Sequence, residues 1–592
     1  MSDYTLEQDQ KQILGHPVGL FVLFFTEMWE RFSYYGMRAL LILFLVAKVE
    51  DKGWGWERGE AYALYGWYVM LVYLLPMLGG WLADNKWGHV KTVIIGASII
   101  TMGHLALALS DLPLSIDLKF VFYIGLLLLV VGTGLFKPNM SSIVGKMYPP
   151  QSPKKDGAYT IFYMGVNSGA FIGTLLVGWI GENFSWAWGF GLAGVFMLFG
   201  LLQFYFARDV FGKAASQPKL KEANQSSPSY IENNVPWTQW DLIIAGVGGF
   251  FVLSWIIDGL YSVITRGTHF LPTGIMHFEN GITVDTSTVF FFLSLIVFSL
   301  LGFRRLSRFN PIERDRLKVV FVIAFFVIFF WASFEQAGTT MTIFARDYTS
   351  RSLVGAWGMI YKIIDLVISI SPMLVLTWVI YKLGKAIAKT YPLTVLFTGL
   401  SFTIIWVLVL YRVYGKISGE HASVDTTWFQ ILNPVFIVAL APLYSRFWQK
   451  YSFSAPQKFF IGLSLLGAGF GVLALGASGI APGAKTASVS MIWLVLAYLL
   501  HTMGELAVSP VGLSYVSKLA PARMLAFLFG VWYVFTGLAN KLAGIMAEYS
   551  ESIADKVGIS GFFLIFTLIP ILAGIVMLSL NKTLKRMMHG VD

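Results

Sequence analysis

The sequence predicts an all-α, polytopic membrane protein. Three observations carry that class. Sixteen hydrophobic stretches recur along the 592 residues, charged residues make up only 13% of the chain, and basic residues return in every second loop. A soluble domain carries about 25% charged residues, and a bilayer core asks for about 20 apolar residues per helix. Aromatic residues reach 16% and glycines number 58, as expected where helices pack closely in lipid and rings gather at its interfaces.

The segments run 18–47, 60–83, 91–111, 119–144, 157–181 and 186–207, then, after a polar stretch, 241–265, 286–303 and 318–346. They continue as 353–381, 391–413, 428–448, 458–478, 489–515, 524–548 and 560–581. The polar stretch holds Ser216, Gln217, Pro218, Ser226, Ser227 and Pro228, the composition of a flexible linker. Residues 1–17 are polar (Asp3, Glu7, Asp9, Lys11) and lack the parts of a signal peptide. They are expected to form a cytoplasmic tail, with the first span as its own targeting signal.

Loop charge tests the count. Basic loops hold Lys86 and Lys91; Lys146, Lys154 and Lys155; Arg208, Lys213, Lys219 and Lys221; Arg304, Arg305, Arg308, Arg314 and Arg316; Lys382, Lys385 and Lys389; Arg446, Lys450 and Lys458; Lys518 and Arg523; Lys582, Lys585 and Arg586. The alternate loops are acidic or mixed, with Glu50, Asp51, Glu57 and Glu60, then Glu182, Glu279 and Asp285, Glu420 and Asp425, and Glu548, Glu551 and Asp555. This alternation obeys the positive-inside rule with both termini cytoplasmic. It also accounts for the net charge of +10 without a nucleic-acid partner. The pair 353–413 fits two spans, and its length also fits a re-entrant pair.

With no cysteine in the chain, disulfides and thiolate metal sites are excluded. His and carboxylate spacing suggests no metal site, and no phosphate-binding glycine loop supports ATP-driven pumping. Neither a nucleophile–base pair nor a metal set stands out, so an enzyme is not expected.

Ionisable residues inside spans are costly and usually face a bundle interior or a water-filled cavity. In the first span Glu27, Glu30, Arg31, Tyr34 and Arg38 fall at offsets 0, 3, 4, 7 and 11, one stripe of a helix. The competing reading is an ion cluster that only fixes packing, but apolar residues would do that in lipid with less desolvation. Other spans contribute Lys137, Asn167, Glu335, Asn433 and Glu505. Charges of both signs in both halves suit a zwitterionic ligand, cations for a carboxylate and a carboxylate for an ammonium. His104 reads as packing. His501, one turn before Glu505, could tune it, but packing is the better reading.

Gly79-Gly80-Trp81-Leu82-Ala83-Asp84-Asn85-Lys86-Trp87-Gly88 is similar to the hinge loop shared by major facilitators. The block Glu27-x-x-Glu30-Arg31-Phe32-x-Tyr34-Tyr35-Gly36, with further blocks around Lys137 and Asn167 and at 330–338, 430–442 and 504–513, resembles the proton-coupled oligopeptide transporter family. The resemblance covers almost the whole chain. It implies a major facilitator fold of two six-helix bundles plus additional helices. The expected divisions are an N-terminal bundle at 18–208, a cytoplasmic linker at 209–240 and an inserted pair at 241–303. A C-terminal bundle at 318–592 then contains an extra pair at about 353–413.

Roles follow from the same resemblance. Arg31 and Lys137 would hold a peptide carboxylate, with Tyr34, Tyr35 and Tyr73 nearby. Glu505, Asn167 and Asn433 would hold the amino terminus, with Ser509 in the same block. Trp331, Phe334 and, on spacing alone, Trp532 would shape side-chain pockets. Glu27 and Glu30 match the proton-coupling carboxylates, working with Arg31, Lys137 and Glu335. Arg38 with Glu335 resembles an inter-bundle pair. Arg58 with Asp347 resembles an outer gate, placed more by spacing than by motif. Di- and tripeptides and peptide-like drugs are the implied ligands, and protons the coupling ion with no other cofactor. A monomer in a bacterial inner membrane is the expected form. The departures are Ser168, Lys86 and the extra pair 353–413. Competing readings are a facilitator for another solute, such as nitrate, an amino acid or a drug, and a membrane-embedded enzyme or sensor.

Overall fold

The computed structural model describes residues 11–110, 119–149, 152–212, 215, 235–277, 283–419, 421–451, 453–521 and 524–591. Most of the linker 209–240, with Glu279, Glu420 and Arg523, lies outside the described residues. A two-residue hairpin, β1 (Gln12–Ile13) against β2 (His16–Pro17), leads into α1 (Val18–Val46). Pro17 cannot donate to a preceding turn, so the helix starts immediately after it.

The next elements are α2 (Arg58–Leu74), α3 (Pro76–Leu82), α4 (His89–Leu109), α5 (Lys119–Lys146), α6 (Lys155–Asn183) and α7 (Trp186–Phe206). Pro76 interrupts the second span, and Gly88 ends its turn at φ 77°. Together α1–α7 form one bundle with α1 packed between α6 and α7. On α6, Gly165, Gly169 and Gly173 lie against the backbones of Phe24, Met28 and Phe32. Their missing side chains let the two helices approach closely, which replaces hydrophobic driving force in lipid.

A pair of mostly exposed apolar helices follows, α8 (Gln239–Ile264) and α9 (Thr286–Leu306). β3 (Met276–His277) pairs with β4 (Thr283–Val284) between them. Trp255 of the pair meets Trp67 of α2 at a ring distance of 4.8 Å, and Arg266 bonds Glu60 at 2.6 Å.

The second bundle holds α10 (Pro311–Phe334) with α11 (Thr340–Asp347), then α14 (Leu432–Lys450), α15 (Ala455–Gly476), α16 (Ile492–Leu519), α17 (Leu525–Glu548) and α18 (Ser550–Ser579). The short α19 (Asn581–Met587) ends the chain. Between α10 and α11 the span is broken by a tight turn at Glu335–Gly338. Gln336 stitches that break by donating to Ala332 O and Ala543 O and accepting from Thr340.

Among the described residues, fifteen helical spans are long and apolar enough to cross a bilayer. The helix α1 adds a sixteenth long apolar element, set apart by Glu27, Glu30, Arg31 and Arg38 within it. The molecule is an all-α integral membrane protein of two bundles with added helices.

The extra pair at about 353–413, inserted in the C-terminal stretch of chain, is the hairpin α12 (Gly355–Ile387) and α13 (Pro392–Ser418). It packs on α7 of the first bundle. The reason is polar as well as apolar. Gln203 of α7 is wholly buried and finds Thr394 and Thr398 on α13. Sequence order hides this, because the chain leaves the second bundle after α11 and returns to it at α14.

The first and last described residues lie on one face, called here the terminal face; Arg316 reaches Met588 O at 3.2 Å and Lys11 reaches Ala386 O at 3.1 Å on that side.

Candidate transport site

The charged stripe of α1 faces inward and is buried, with Glu30 at 0% and Glu27 and Arg31 at 3% exposure. Arg31 Nε donates to Glu27 Oε1 at 2.9 Å. Glu30 Oε2 lies 2.6 Å from the same nitrogen but makes no hydrogen bond with it, since a single N–H cannot serve both carboxylates in line. Glu27 Oε2, both Glu30 oxygens, Arg31 Nη2 and the Tyr34 hydroxyl have no hydrogen-bond partner among the described residues. One guanidinium is thus shared between two carboxylates, with hydrogen-bonding capacity in reserve on both sides.

Lys137 sits on α5 beside Pro138, which lacks an amide N–H. Its ammonium stands over the Tyr73 ring at 4.3 Å, and no described carboxylate comes within ion-pair distance. It lies within electrostatic reach of Glu27, Glu30, Arg31 and Arg38. Tyr34 and Tyr35 pack edge to face at 5.1 Å, with Arg31 over the first ring and Arg38 over the second.

Across the bundle interface, Asn433 Nδ2 donates to Glu505 Oε2 at 2.8 Å and approaches Thr502 Oγ1 at 3.1 Å. Glu505 is in electrostatic reach of Glu335, Tyr35 and Tyr163. Asn167 instead bonds back to Tyr163 O on its own helix at 2.9 Å. Trp331 and Phe334 pack edge to face at 5.3 Å. Trp532 is buried against Gly512, and the buried Ser509 hydroxyl has no hydrogen-bond partner among the described residues. His501 packs at a tilt on Phe470 at 4.5 Å, and the ring nitrogens of the buried His104 find no hydrogen-bond partner among the described residues.

One face is bonded shut. Arg38 Nη2 meets Glu335 Oε2 at 2.6 Å, with the Tyr65 hydroxyl 3.5 Å from the same oxygen. Arg58 lies 2.7 Å from Asp347 and 3.2 Å from Glu551. Glu182 of α6 accepts from the backbone N–H groups of Thr426 and Thr427 at 2.8 Å each. These bonds between the two bundles lie at this face or just beneath it. A hollow of about 670 Å³ above the seal is lined by Lys48, Glu50, Lys52, Glu182, Arg346 and Arg351 among others. Near the terminal face, the hinge-loop residues lock to α5, where His89 pairs with Asn139 at 2.7 Å and Asn139 reaches Gly79 O.

Sequence reasoning missed Tyr65, Thr502, Glu182 and Asp425. Tyr65 had a readable signal, since it lies eight residues, or two helical turns, before Tyr73. Glu182 and Asp425 sat in loops read only for charge, and their partners lie 244 and 242 residues away in the chain. Among the described residues, no group of three or more His, Asp or Glu could hold a metal ion.

Two helical bundles facing each other across buried charges of both signs, sealed at one face, define a transporter of the major facilitator fold. The POT family model matches residues 90–413 and 401–563. YclF, an uncharacterized transporter of Bacillus subtilis, is 32% identical over 98% of this chain and 97% of its own. The peptide transporter YePEPT of Yersinia enterocolitica is 32% identical over 92% of this chain and 89% of its own. A crystal structure of a peptide transporter POT bound to sulfate superposes with a TM-score of 0.69 at 28% identity, over 100% of both chains. The chain belongs to the POT family, the proton-dependent oligopeptide transporters.

Proposed function

We propose that this chain is a proton-coupled symporter that imports di- and tripeptides by alternating access, with a single chain as the transporting unit. The carrying observation is the opposition of a shared cation, Arg31 between Glu27 and Glu30, to a carboxylate, Glu505, held by Asn433 on the other bundle. A peptide is a zwitterion, and its two ends match those two poles. Relatives described as peptide transporters, including a di-/tripeptide transporter of Lactococcus lactis 29% identical over 99% of each chain, support the substrate class.

In this reading the terminal face is cytoplasmic and the sealed face is outer, in a bacterial inner membrane. Protonation of Glu30 or Glu27 removes one of the two charges that compete for Arg31. The guanidinium then turns toward a peptide carboxylate, and Lys137 moves from the Tyr73 ring to share that charge. Glu505 takes the peptide ammonium, and Trp331 and Phe334 flank a side chain. The pairs Arg38–Glu335 and Arg58–Asp347 hold the outer face closed while the cytoplasmic side exchanges solute. Broken spans at Pro76 and Glu335–Gly338 place bendable backbone beside the site, as transporters built from discontinuous helices do.

The test is uptake of labelled di-alanine into proteoliposomes under an imposed pH gradient, with and without Glu505→Gln. Gradient-driven accumulation that the substitution abolishes supports peptide import. Absence of uptake by folded wild-type protein would move the substrate to another solute class on the same scaffold.

A further inference from the structure

We propose that the hairpin α12–α13 is a clamp on the sealed face: it is anchored on the first bundle at Gln203, and its Asp365–Arg412 pair holds the start of α14 through Trp428 and Asp425. The inference rests on the alternating-access reading above.

The anchor is a saturated amide. Gln203 Oε1 accepts from Trp29 Nε1 at 3.1 Å and from Thr398 Oγ1 at 2.9 Å. Its Nε2 donates to Val22 O at 3.1 Å and to Thr26 Oγ1 at 3.3 Å. A primary amide offers two donors and accepts at two lone pairs, so α1 and α13 together use it fully. Thr394 Oγ1 adds a bond to Gln203 O at 3.0 Å. Phe402 seats the contact by packing edge-on to Trp29 at 5.4 Å and to Phe25 at 5.8 Å. Without the hairpin, Gln203 would leave an acceptor open toward hydrocarbon, where unmet polar groups cost most.

The jaw lies at the other end of the hairpin. Arg412 and Asp365, each 1% exposed, form a two-bond fork at 2.7 and 2.9 Å. Asp365 also accepts from Trp428 Nε1 at 3.0 Å, and Tyr361 packs edge-on to the same indole at 5.3 Å. Trp428 belongs to the turn Thr426–Ile431 that opens α14 in the second bundle. Asp425, one residue before that turn, is a junction of three parts. It accepts from Lys416 of the hairpin at 2.9 Å and from Asn183 of the first bundle at 3.2 Å, and lies 3.7 Å from Arg412.

The connections permit relative motion. β5 (Thr349–Ser350) pairs with β8 (Val489–Ser490) of the second bundle, whereas β6 (Ser352–Leu353) pairs with β7 (Ala422–Ser423) at the hairpin's own mouth. Arg351 alone separates β5 from β6. The two linkers therefore leave the second bundle as one ribbon with a single-residue joint. Opening the sealed face must break Trp428–Asp365 and the Asp425 contacts while the Gln203 anchor stays, so the clamp favours the closed state of this face. Asp425 and Trp428 are positioning residues in this scheme, since they reach the solute site only through α14.

The chain lacks cysteine, so spin labels can be placed without background changes. Labels at Val49, Tyr549 and Tyr414, all exposed, report the first bundle, the second bundle and the hairpin. In the wild type, low pH with di-alanine should lengthen Val49–Tyr549 while Val49–Tyr414 stays constant. Asp425→Asn with Trp428→Phe should raise the fraction of long Val49–Tyr549 distances several-fold. Trp428→Phe alone, which removes only the indole N–H and keeps the ring, should raise it less. An unchanged fraction in both variants would overturn the latch while leaving alternating access intact. A Val49–Tyr414 distance that changes with opening would overturn the anchor. A Val49–Tyr549 distance that never changes in wild type would remove both the clamp and the alternating-access reading.

Discussion

Arg38 and Glu335 meet at 2.6 Å across the interface between the bundles, both buried, on helices separated by 297 residues of chain. Their bond is the innermost of those that seal the face, and it joins the charged stripe of α1 to the break between α10 and α11. Removing one partner of a buried pair costs about 3–5 kcal/mol because the other charge is stranded. Glu335→Gln should therefore shift the protein toward opening of the sealed face and cut uptake. The distance between labels at Val49 and Tyr549, both exposed on the closed face, should lengthen with it. An unaltered distance would mean that this pair does not hold the face closed.

The shared guanidinium separates coupling from binding. Glu30→Gln, or Glu27→Gln, leaves Arg31 with one anionic partner permanently. Peptide-for-peptide exchange should continue, whereas uphill uptake driven by a pH gradient should be lost and the pH profile of uptake should flatten. Wild-type accumulation in both variants would end the proton role assigned to these carboxylates.

Glu505 is held by Asn433 at 2.8 Å, so its carboxyl group is fixed in place before solute arrives. A hydrogen bond to a charged group contributes about 1.5–3 kcal/mol. Glu505→Gln should raise KM for free-amine dipeptides by roughly 10- to 100-fold and leave that for N-acetylated dipeptides nearly unchanged. Competition against labelled di-alanine measures both, and an equal rise for both peptides would argue against an ammonium site.

Gly169 faces the backbone of Met28. A branched side chain there has to push α1 off α6, the contact that carries the charged stripe. Gly169→Val should lower the thermal unfolding midpoint in detergent by several degrees and reduce yield, whereas Gly249→Val, where a side chain meets open space, should leave both unchanged. Equal midpoints for the two variants would remove the packing argument.

Much of this architecture was legible in the chain itself. A run of about 20 apolar residues has one stable form in hydrocarbon, since backbone groups there must bond within the segment. The stripe Glu27, Glu30, Arg31, Tyr34 and Arg38 was visible because helical spacing alone puts those offsets on one face. Its internal contact, Arg31 to Glu27 at i and i+4, is local in the same way.

Other features depended on chain returning from far away. Asn167 carries an amide in the expected block, yet its bond goes back to Tyr163 O on its own helix. Gln203 reads as a single polar residue in an apolar helix until α13, nearly two hundred residues later, brings Thr394 and Thr398 to it. The place of the hairpin could not be read from order, because lipid-facing helices look alike whichever bundle they cover.

By itself the sequence determined the all-α membrane class, the sixteen apolar elements and the charged face of α1. These follow from local composition and helical periodicity against the solvent that lipid provides. Only the tertiary structure decided which bundle carries α12–α13, which face is closed, and that Glu182, Asn183 and Asp425 help to close it. Those are contacts between residues hundreds of positions apart, and their energies depend on distance in space rather than on spacing along the chain.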